Sequence, residues 1–192
     1  MICLKTIDTN TTSEIIIKNS RFITMLFKIK DSNIDKFIDE AKTLYPKATH
    51  YCYCYRLCDC QKSSDDGEPG GTAGIPMLNV LIKEDIVNVL AVTIRYFGGI
   101  KLGAGGLVRA YTKSLTTALQ SVNSKKLCIG YLIKLSISYD GQKQLDYVLK
   151  EINIINKEYN DNVTYLFEIS KDNIDLISNY DYEIIEERLI DA

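Results

Sequence analysis

The segment IVNVLAVTIRYFGGIKLGAGGLVRAY, residues 86–111, decides the architecture of the chain around it. Its first part is a near-continuous apolar run, which is typical of a strand covered on both faces at the centre of a sheet. Glycines then crowd the chain, and helical periodicity from Ala104 predicts a helix over 104–122. The segment therefore predicts a buried central strand, a glycine-rich corner and a packed helix.

The sequence before this segment predicts a hairpin and a helix. Residues 14–20 and 21–30 are interpreted as paired strands, with Asn19 and Ser20 in the turn between them. Residues 31–46 carry apolar side chains at helical spacing, and this pattern predicts a helix that packs on the sheet.

Capping residues and a strand pattern complete this first part. Asp31 or Ser32 is predicted to cap the helix, and Pro46 to end it. Residues 49–57, THYCYCYRL, alternate as a strand with tyrosines on one face. Residues 58–84 predict a polar loop and then a short helix.

The residues NSKK at 123–126 predict a domain boundary, so that the chain divides into domains 1–125 and 126–192. The second part follows a β-α-β-β-α-β order, which is the ferredoxin-like plan, and the predicted fold class is α+β. Its elements are predicted at 127–139, 142–151, 152–159, 163–170, 172–179 and 182–189.

Composition predicts an ordinary globular protein. The chain has 192 residues, of which 46% are hydrophobic and 25% charged. The apolar runs are too short to span a bilayer and the first residues do not resemble a signal peptide, so we expect a cytoplasmic protein with no membrane partner. The six cysteines are then expected to be reduced thiols.

The charges are distributed unevenly along the chain. Residues 1–125 contain 16 basic and 12 acidic side chains, whereas 126–192 contain 7 and 13. Residues 86–125 contain no acid at all, which predicts a locally positive surface. Its basic residues are Arg95, Lys101, Arg109, Lys113 and Lys125.

The glycine-rich corner is a candidate anion site, because it joins a buried strand to a helix N-terminus next to basic side chains. It matches neither the P-loop pattern nor the dinucleotide pattern, since Val108 stands where the last glycine of G-x-G-x-x-G would be. A tight structural junction is the alternative. The candidate phosphate or nucleic-acid residues are Arg95, Lys101, Arg109, Gly98, Gly99, Gly103, Gly105, Gly106, Tyr96 and Phe97.

The loop KSSDDGEPGGTAG is a second candidate. Asp65, Asp66 and Glu68 are close enough in sequence for acid–base chemistry or a hard cation, but they lack regular ligand spacing. A solvated turn, or pairing of these acids with Arg95 or Arg109, explains them equally well.

His50 and the nearby cysteines suggest zinc, but their spacing argues against it. His50, the only histidine, remains a candidate acid–base residue or a structural one. Small buried thiols account for the cysteines Cys52, Cys54, Cys58 and Cys60. The tyrosine ladder of the same strand is expected in the core, while Tyr96, Phe97 and Tyr111 are better placed for contact with nucleic acid.

Three segments resemble the signature of the YigZ/IMPACT family: HYCYCYRL at 50–57, SSDDGEPGGTAGIPML at 63–78 and IRYFGGIKLGAGGLVRAY at 94–111. The resemblance implies that the first domain is similar to the second domain of ribosomal protein S-five and to domain IV of elongation factor G. It implies that the second domain is ferredoxin-like and similar to domain V of that factor. Eukaryotic relatives regulate translation largely through an extra domain that this sequence lacks, so their partner-binding role is not expected here.

The resemblance also implies a shared cleft at the motif positions. These are Asp65, Asp66, Gly67, Glu68, Pro69, Gly71, Thr72, Ala73, Gly74, Arg95, Phe97, Gly98, Gly99, Leu102, Gly103, Gly105, Gly106, Leu107 and Arg109.

Three functions remain open from the sequence. The first is a translation-associated regulator that binds RNA or the ribosome through the basic, glycine-rich surface. The second is an enzyme acting on a nucleotide or phosphorylated small molecule, with the acidic loop holding a metal or a proton. The third is a protein-interaction module without chemistry. The sequence assigns no cofactor, no metal and no oligomeric state.

Overall fold

A computed structural model of the protein describes residues 4–191 and has mixed α and β structure. The chain forms two compact units, residues 1–125 and 126–192. Within the described residues, no helix is both long and apolar enough to cross a membrane.

The first unit is built on a five-stranded sheet with three helices. The five strands of this sheet are β2 (Thr11–Ile17), β3 (Ser20–Lys28), β4 (His50–Arg56), β5 (Gln61–Ser64) and β6 (Val89–Tyr96), and the short strand β1 (Lys5–Ile7) precedes them outside the sheet. Its helices are α1 (Asp35–Leu44), α2 (Gly74–Lys83) and α3 (Ala104–Gln120). The sheet order β2-β3-β6-β4-β5 confirms the central position predicted for β6.

The two faces of this sheet bury separate cores. On one face α2 and α3 pack over side chains such as Phe22, Cys52 and Ala91. On the other face α1 packs over a core that includes Tyr55 and Val92, which confirms that the tyrosine ladder contributes to the core. Because both faces are covered, β6 needs apolar side chains at nearly every position.

Buried hydroxyl groups fix α3 against the sheet. The Thr24 hydroxyl lies 2.7 Å from that of Ser114 on α3 and 2.8 Å from that of Thr93 on β6. Since a buried hydroxyl without a partner costs free energy, this set of contacts favours one register of α3 on the sheet.

The β2–β3 hairpin differs from its prediction by one residue. Lys18 and Asn19 form the turn, with φ of 46° and 64°, and Ser20 is already part of β3 and fully buried. Two central residues with positive φ are typical of the two-residue turn whose twist matches that of its strands.

Two other local predictions are wrong. Helix α1 begins at Asp35 without a side-chain cap, because the Asp31 carboxylate accepts the Asn33 N–H in a separate turn. The predicted polar loop contains β5, which pairs antiparallel with β4.

The second unit contains strands β7 (Ser124–Ile137), β8 (Asn153–Tyr159), β9 (Val163–Ser170) and β10 (Tyr182–Asp191), and helix α4 (Gln142–Val148). Antiparallel pairing gives the order β10-β7-β9-β8. The second predicted helix of this unit is a 3-10 helix over Lys171–Ile177. Alternate residues of β7 and β9, such as Ile133 and Phe167, pack with Leu145 of α4 in the core.

Candidate functional site

A buried ion pair lies where β6 ends. The Arg95 side chain points to the α2/α3 face of the sheet, and its Nη1 donates to Glu68 Oε1 at 2.6 Å. The two side chains are only 6% and 3% exposed. The Arg95 guanidinium also lies 5.5 Å from the ring centres of both Phe22 and Phe97. The sequence left open whether the acids of the loop act chemically, lie in a solvated turn or pair with an arginine. For Glu68 the structure shows the pair with Arg95.

Two neutral groups complete this cluster. The Tyr111 hydroxyl donates to Glu68 Oε1 at 2.8 Å, and the Cys52 Sγ lies 3.3 Å from that hydroxyl. Burial raises the pKa of Tyr111 well above its ordinary value and raises the pKa of the Cys52 thiol to about 12. Both groups are therefore protonated at neutral pH, and Cys52 has no thiolate character.

His50 lies at the edge of the cluster. Its Nδ1 is 2.8 Å from the carbonyl oxygen of Asp66, which can only accept, so geometry assigns the proton to Nδ1. Its Nε2 faces Glu68 Oε2 at 3.9 Å, and the imidazole is 17% exposed. His50, Glu68, Arg95, Tyr111 and Cys52 are called the Glu68 cluster below.

The other two acids of the loop bind backbone groups. Asp65 accepts the N–H groups of Gly71, Ala73 and Gly74 at 2.7–2.9 Å, which holds the start of α2. Asp66 Oδ2 accepts the Tyr51 N–H at 2.6 Å. Within residues 4–191, no three His, Cys, Asp or Glu side chains gather in a metal-binding arrangement.

The Asp65 carboxylate has an acid-sensitive role. Partial burial acts to raise its pKa, but the three backbone N–H donors together outweigh burial, so the pKa lies below its usual value. A depressed folded-state pKa stabilises the protein above the unfolded pKa, and that contribution is lost as pH falls through the folded value.

We expect Asp65→Asn to lower the free energy of unfolding by about 2 kcal/mol at neutral pH, because charge-assisted bonds to the backbone are lost. Urea unfolding at pH 7, 5 and 3 measures the difference between wild type and variant. The difference should shrink below about pH 4, where unfolded aspartate binds protons. A difference independent of pH would contradict this role for the Asp65 charge.

The glycine-rich corner closes against the β2–β3 hairpin. The Gly98 N–H donates to Ser20 Oγ at 3.2 Å. A Cβ added at Gly98 would lie 2.1 Å from the carbonyl carbon of Asn19. Only glycine allows this approach, so the corner sets where the hairpin turn, and with it Lys18, is placed.

A groove with a cationic rim lies beside this corner. It has a volume of about 290 Å³, and it is called the cationic groove below. Its lining residues are Ile17, Lys18, Leu102, Gly106, Arg109, Ala110 and Lys113. Among the described residues, no carboxylate forms an ion pair with Lys18, Arg109 or Lys113.

The structure separates the sequence candidates into distinct places. Arg109 and Gly106 line the cationic groove, whereas Arg95 belongs to the Glu68 cluster and presents no charge at the surface. Lys101 is exposed on the loop before α3. Lys18 was not among the candidates, because only the hairpin brings it to the groove.

Lys113 was also absent from the candidates for phosphate or nucleic-acid contact. It follows Arg109 by four residues on α3, and this spacing places both side chains on one face of the helix. That spacing is the sequence signal from which Lys113 could have been found.

The candidate aromatic residues also separate. Tyr111 is fully buried, and the Tyr96 hydroxyl donates to the Pro46 carbonyl on the opposite face of the sheet. Phe97 is 47% exposed. Of the three aromatics predicted to contact nucleic acid, Phe97 alone has an exposed ring.

The four cysteines of this region differ in burial. Cys52 and Cys54 are fully buried, as expected for small buried thiols, whereas that interpretation is wrong for Cys58 and Cys60, which are exposed near the β4–β5 turn. These four and Cys128 are free thiols, while Cys3 lies outside the described residues.

The family model and the curated proteins that match this chain all carry the IMPACT name. The family model described as the Impact N-terminal domain matches residues 18–119. The IMPACT family member YvyE of Bacillus subtilis (strain 168) is 40% identical over 158 residues, which cover 79% of this chain and 73% of that protein. The IMPACT family member YigZ of Escherichia coli (strain K12) is 41% identical over 116 residues, 57% of each chain.

One solved structure is similar over the full length. It is a crystal structure described as that of a hypothetical protein, 28% identical, with a TM-score of 0.66. The match covers 100% of this chain and 98% of the other.

Proposed function

This chain belongs to the IMPACT family, and on that premise we propose that it is a translation-associated protein that binds RNA or the ribosome through the cationic groove. The observation that carries the proposal is a groove whose three charged side chains are all basic and form no ion pair with a carboxylate of residues 4–191. Because RNA and ribosomes are its proposed partners, its proposed location is the cytoplasm.

Electrostatics support RNA as the partner. Each basic side chain that contacts a phosphate releases condensed counterions, and this release favours binding. Lys18 from the hairpin and Arg109 and Lys113 from α3 approach the groove from two elements. Three cations in one concave surface therefore suit a curved phosphate backbone better than a flat array would.

Two proposals about the fold are consistent with a setting in translation. We propose that the first unit is similar to the second domain of ribosomal protein S-five and to domain IV of elongation factor G. We propose that the second unit is ferredoxin-like, since a strand–helix–strand–strand–helix–strand order with β7 and β9 adjacent follows that plan. The second unit carries the acidic excess, so RNA binding is assigned to the first.

The test replaces the three groove cations together, as Lys18→Gln, Arg109→Gln and Lys113→Gln. At about 0.1 M salt we expect roughly 100-fold weaker binding to RNA, from a slope of about 0.7 in log K per phosphate contact on a single strand. Sedimentation with ribosomes and anisotropy with a short labelled RNA measure the loss.

The matched control removes the same charge elsewhere in the first unit. Lys36→Gln, Lys42→Gln and Lys62→Gln change exposed lysines on α1 and β5. We expect this variant to keep most of the wild-type affinity. Equal loss in both triple variants would refute a role specific to the groove and leave only an effect of net charge.

One observation favours a second candidate function, an enzyme acting on a nucleotide or phosphorylated small molecule. His50 is partly exposed at the edge of the Glu68 cluster, its Nε2 makes no hydrogen bond to Glu68 at 3.9 Å, and an imidazole nitrogen placed in this way can exchange a proton with a bound substrate. Thermal melting with nucleotides and Mg²⁺ tests it, because a specific ligand raises the melting temperature. No shift with any of these compounds would count against the enzyme.

A further inference from the structure

We propose that the exposed ring of Phe97 is a stacking platform for a base of single-stranded RNA whose phosphates lie in the cationic groove. The inference rests on the proposed function and deepens it, because it names the form of nucleic acid that the site selects. The structural observation behind it is an exposed aromatic residue at the glycine-rich corner, which also places Lys18 at the cationic groove.

Phe97 is exposed, and its backbone is held in place. The residue is 47% exposed, while its backbone N–H donates to Thr49 Oγ1 at 3.0 Å. The guanidinium of Arg95 lies 5.5 Å from the ring centre, and Arg95 itself is held by Glu68. The contact with Arg95 restricts the ring, so less conformational entropy is lost when a base stacks on it.

Phe97 lies close to the groove through the glycine-rich corner. Gly98 follows Phe97 and approaches the backbone of Asn19, and Lys18 precedes Asn19. From the usual spacing of Cα atoms, the Cα atoms of Phe97 and Lys18 are therefore within about 13 Å. A stacked strand with about 3.4 Å between nucleotides covers that distance in about four nucleotides.

The chemistry of this surface fits a single strand better than a duplex. Proteins that bind single strands combine a basic groove with aromatic side chains on which unpaired bases stack. In an RNA duplex the bases are paired and stacked on each other, so a ring on the protein surface meets only backbone and groove edges. A duplex would use the groove cations and leave Phe97 without a contact.

Binding of a ten-nucleotide RNA and of its duplex to the full chain tests the proposal. We expect Phe97→Ala to weaken single-strand binding by about 5- to 150-fold, with no change in salt slope and no change in duplex binding. Phe97→Tyr should keep the wild-type affinity for the single strand because it keeps an aromatic ring, whereas Phe97→Leu should not. Ile100→Ala is the matched control, because Ile100 is 45% exposed in the same loop.

A tryptophan variant tests the stacking contact by fluorescence, independently of the measured affinity. The chain contains no tryptophan, so Phe97→Trp introduces a single indole. Single-stranded RNA should quench its fluorescence, duplex RNA should not, and Ile100→Trp should respond weakly to both.

The outcomes separate this inference from the proposed function. Suppose that the wild type binds RNA in a salt-dependent way, that Phe97→Ala binds equally well and that Phe97→Trp shows no quenching. The stacking proposal is then wrong, while the proposal of RNA binding through the cationic groove stands. Equal losses on single strand and duplex also overturn the platform. If the wild type binds no RNA, the proposed function fails and the inference with it.

Discussion

Replacing Glu68 by glutamine is expected to destabilise the first unit by about 3–5 kcal/mol, because the Arg95 charge then remains buried without a counter-charge. Arg95 is 5% exposed and Glu68 is 8% exposed, so water does not compensate the loss. Tyr111 would lose a charged acceptor at the same time. Urea unfolding followed by circular dichroism measures the change in the free energy of unfolding.

Two controls make this expectation specific. Glu40→Gln removes an equal charge from an exposed position on α1 and should change stability by less than about 0.5 kcal/mol. Adding Arg95→Met to Glu68→Gln removes both charges and should recover much of the loss, since no buried charge is then left without a counter-charge. If Glu68→Gln is as stable as Glu40→Gln, the cluster does not hold a desolvated pair.

Gly98→Ala is expected to destabilise the first unit by about 3 kcal/mol or more, because the new methyl group meets backbone that cannot move without shifting the hairpin. The added Cβ would lie 2.1 Å from the carbonyl carbon and oxygen of Asn19 and 2.5 Å from the Ser20 nitrogen. Thermal or urea unfolding measures the loss.

Gly70→Ala is the matched control for this substitution. No atom lies within 4 Å of a Cβ added at Gly70, and the residue has no positive φ. We expect a change within about 0.5 kcal/mol. Similar stability of the two alanine variants would mean that the corner does not pack against the hairpin as described.

The strand pattern of the sequence predicted much of the fold, because a strand with a buried face carries apolar side chains at alternate positions. Strand β9 occupies the predicted residues 163–170, and β6 is central as its apolar run indicated. Strand β5 could not be predicted in this way, since its sequence QKSS has no apolar face and forms a strand only through pairing with β4. The cap predicted for α1 failed because Asp31 closes its own turn first.

The residue types of the candidate site were predictable, and pairing of the loop acids with Arg95 or Arg109 was one of the alternatives, but the sequence did not decide between these alternatives. Glu68 and Arg95 are 27 residues apart, and their contact depends on which sheet face residue 95 occupies. The sequence therefore left Arg95 among the phosphate contacts, whereas the fold places it inside the protein. Conversely, Lys18 carries no local signal for the groove, because the close approach of Gly98 to the hairpin brings it there.

The salt dependence of RNA binding tests the role of the cationic groove most directly. For the wild type, log K is expected to fall against log salt concentration with a slope of about −2, from three phosphate contacts on a single strand. For the variant with glutamine at positions 18, 109 and 113, the slope should approach zero. A wild type that binds RNA independently of salt, or a variant with an unchanged slope, would contradict binding through Lys18, Arg109 and Lys113.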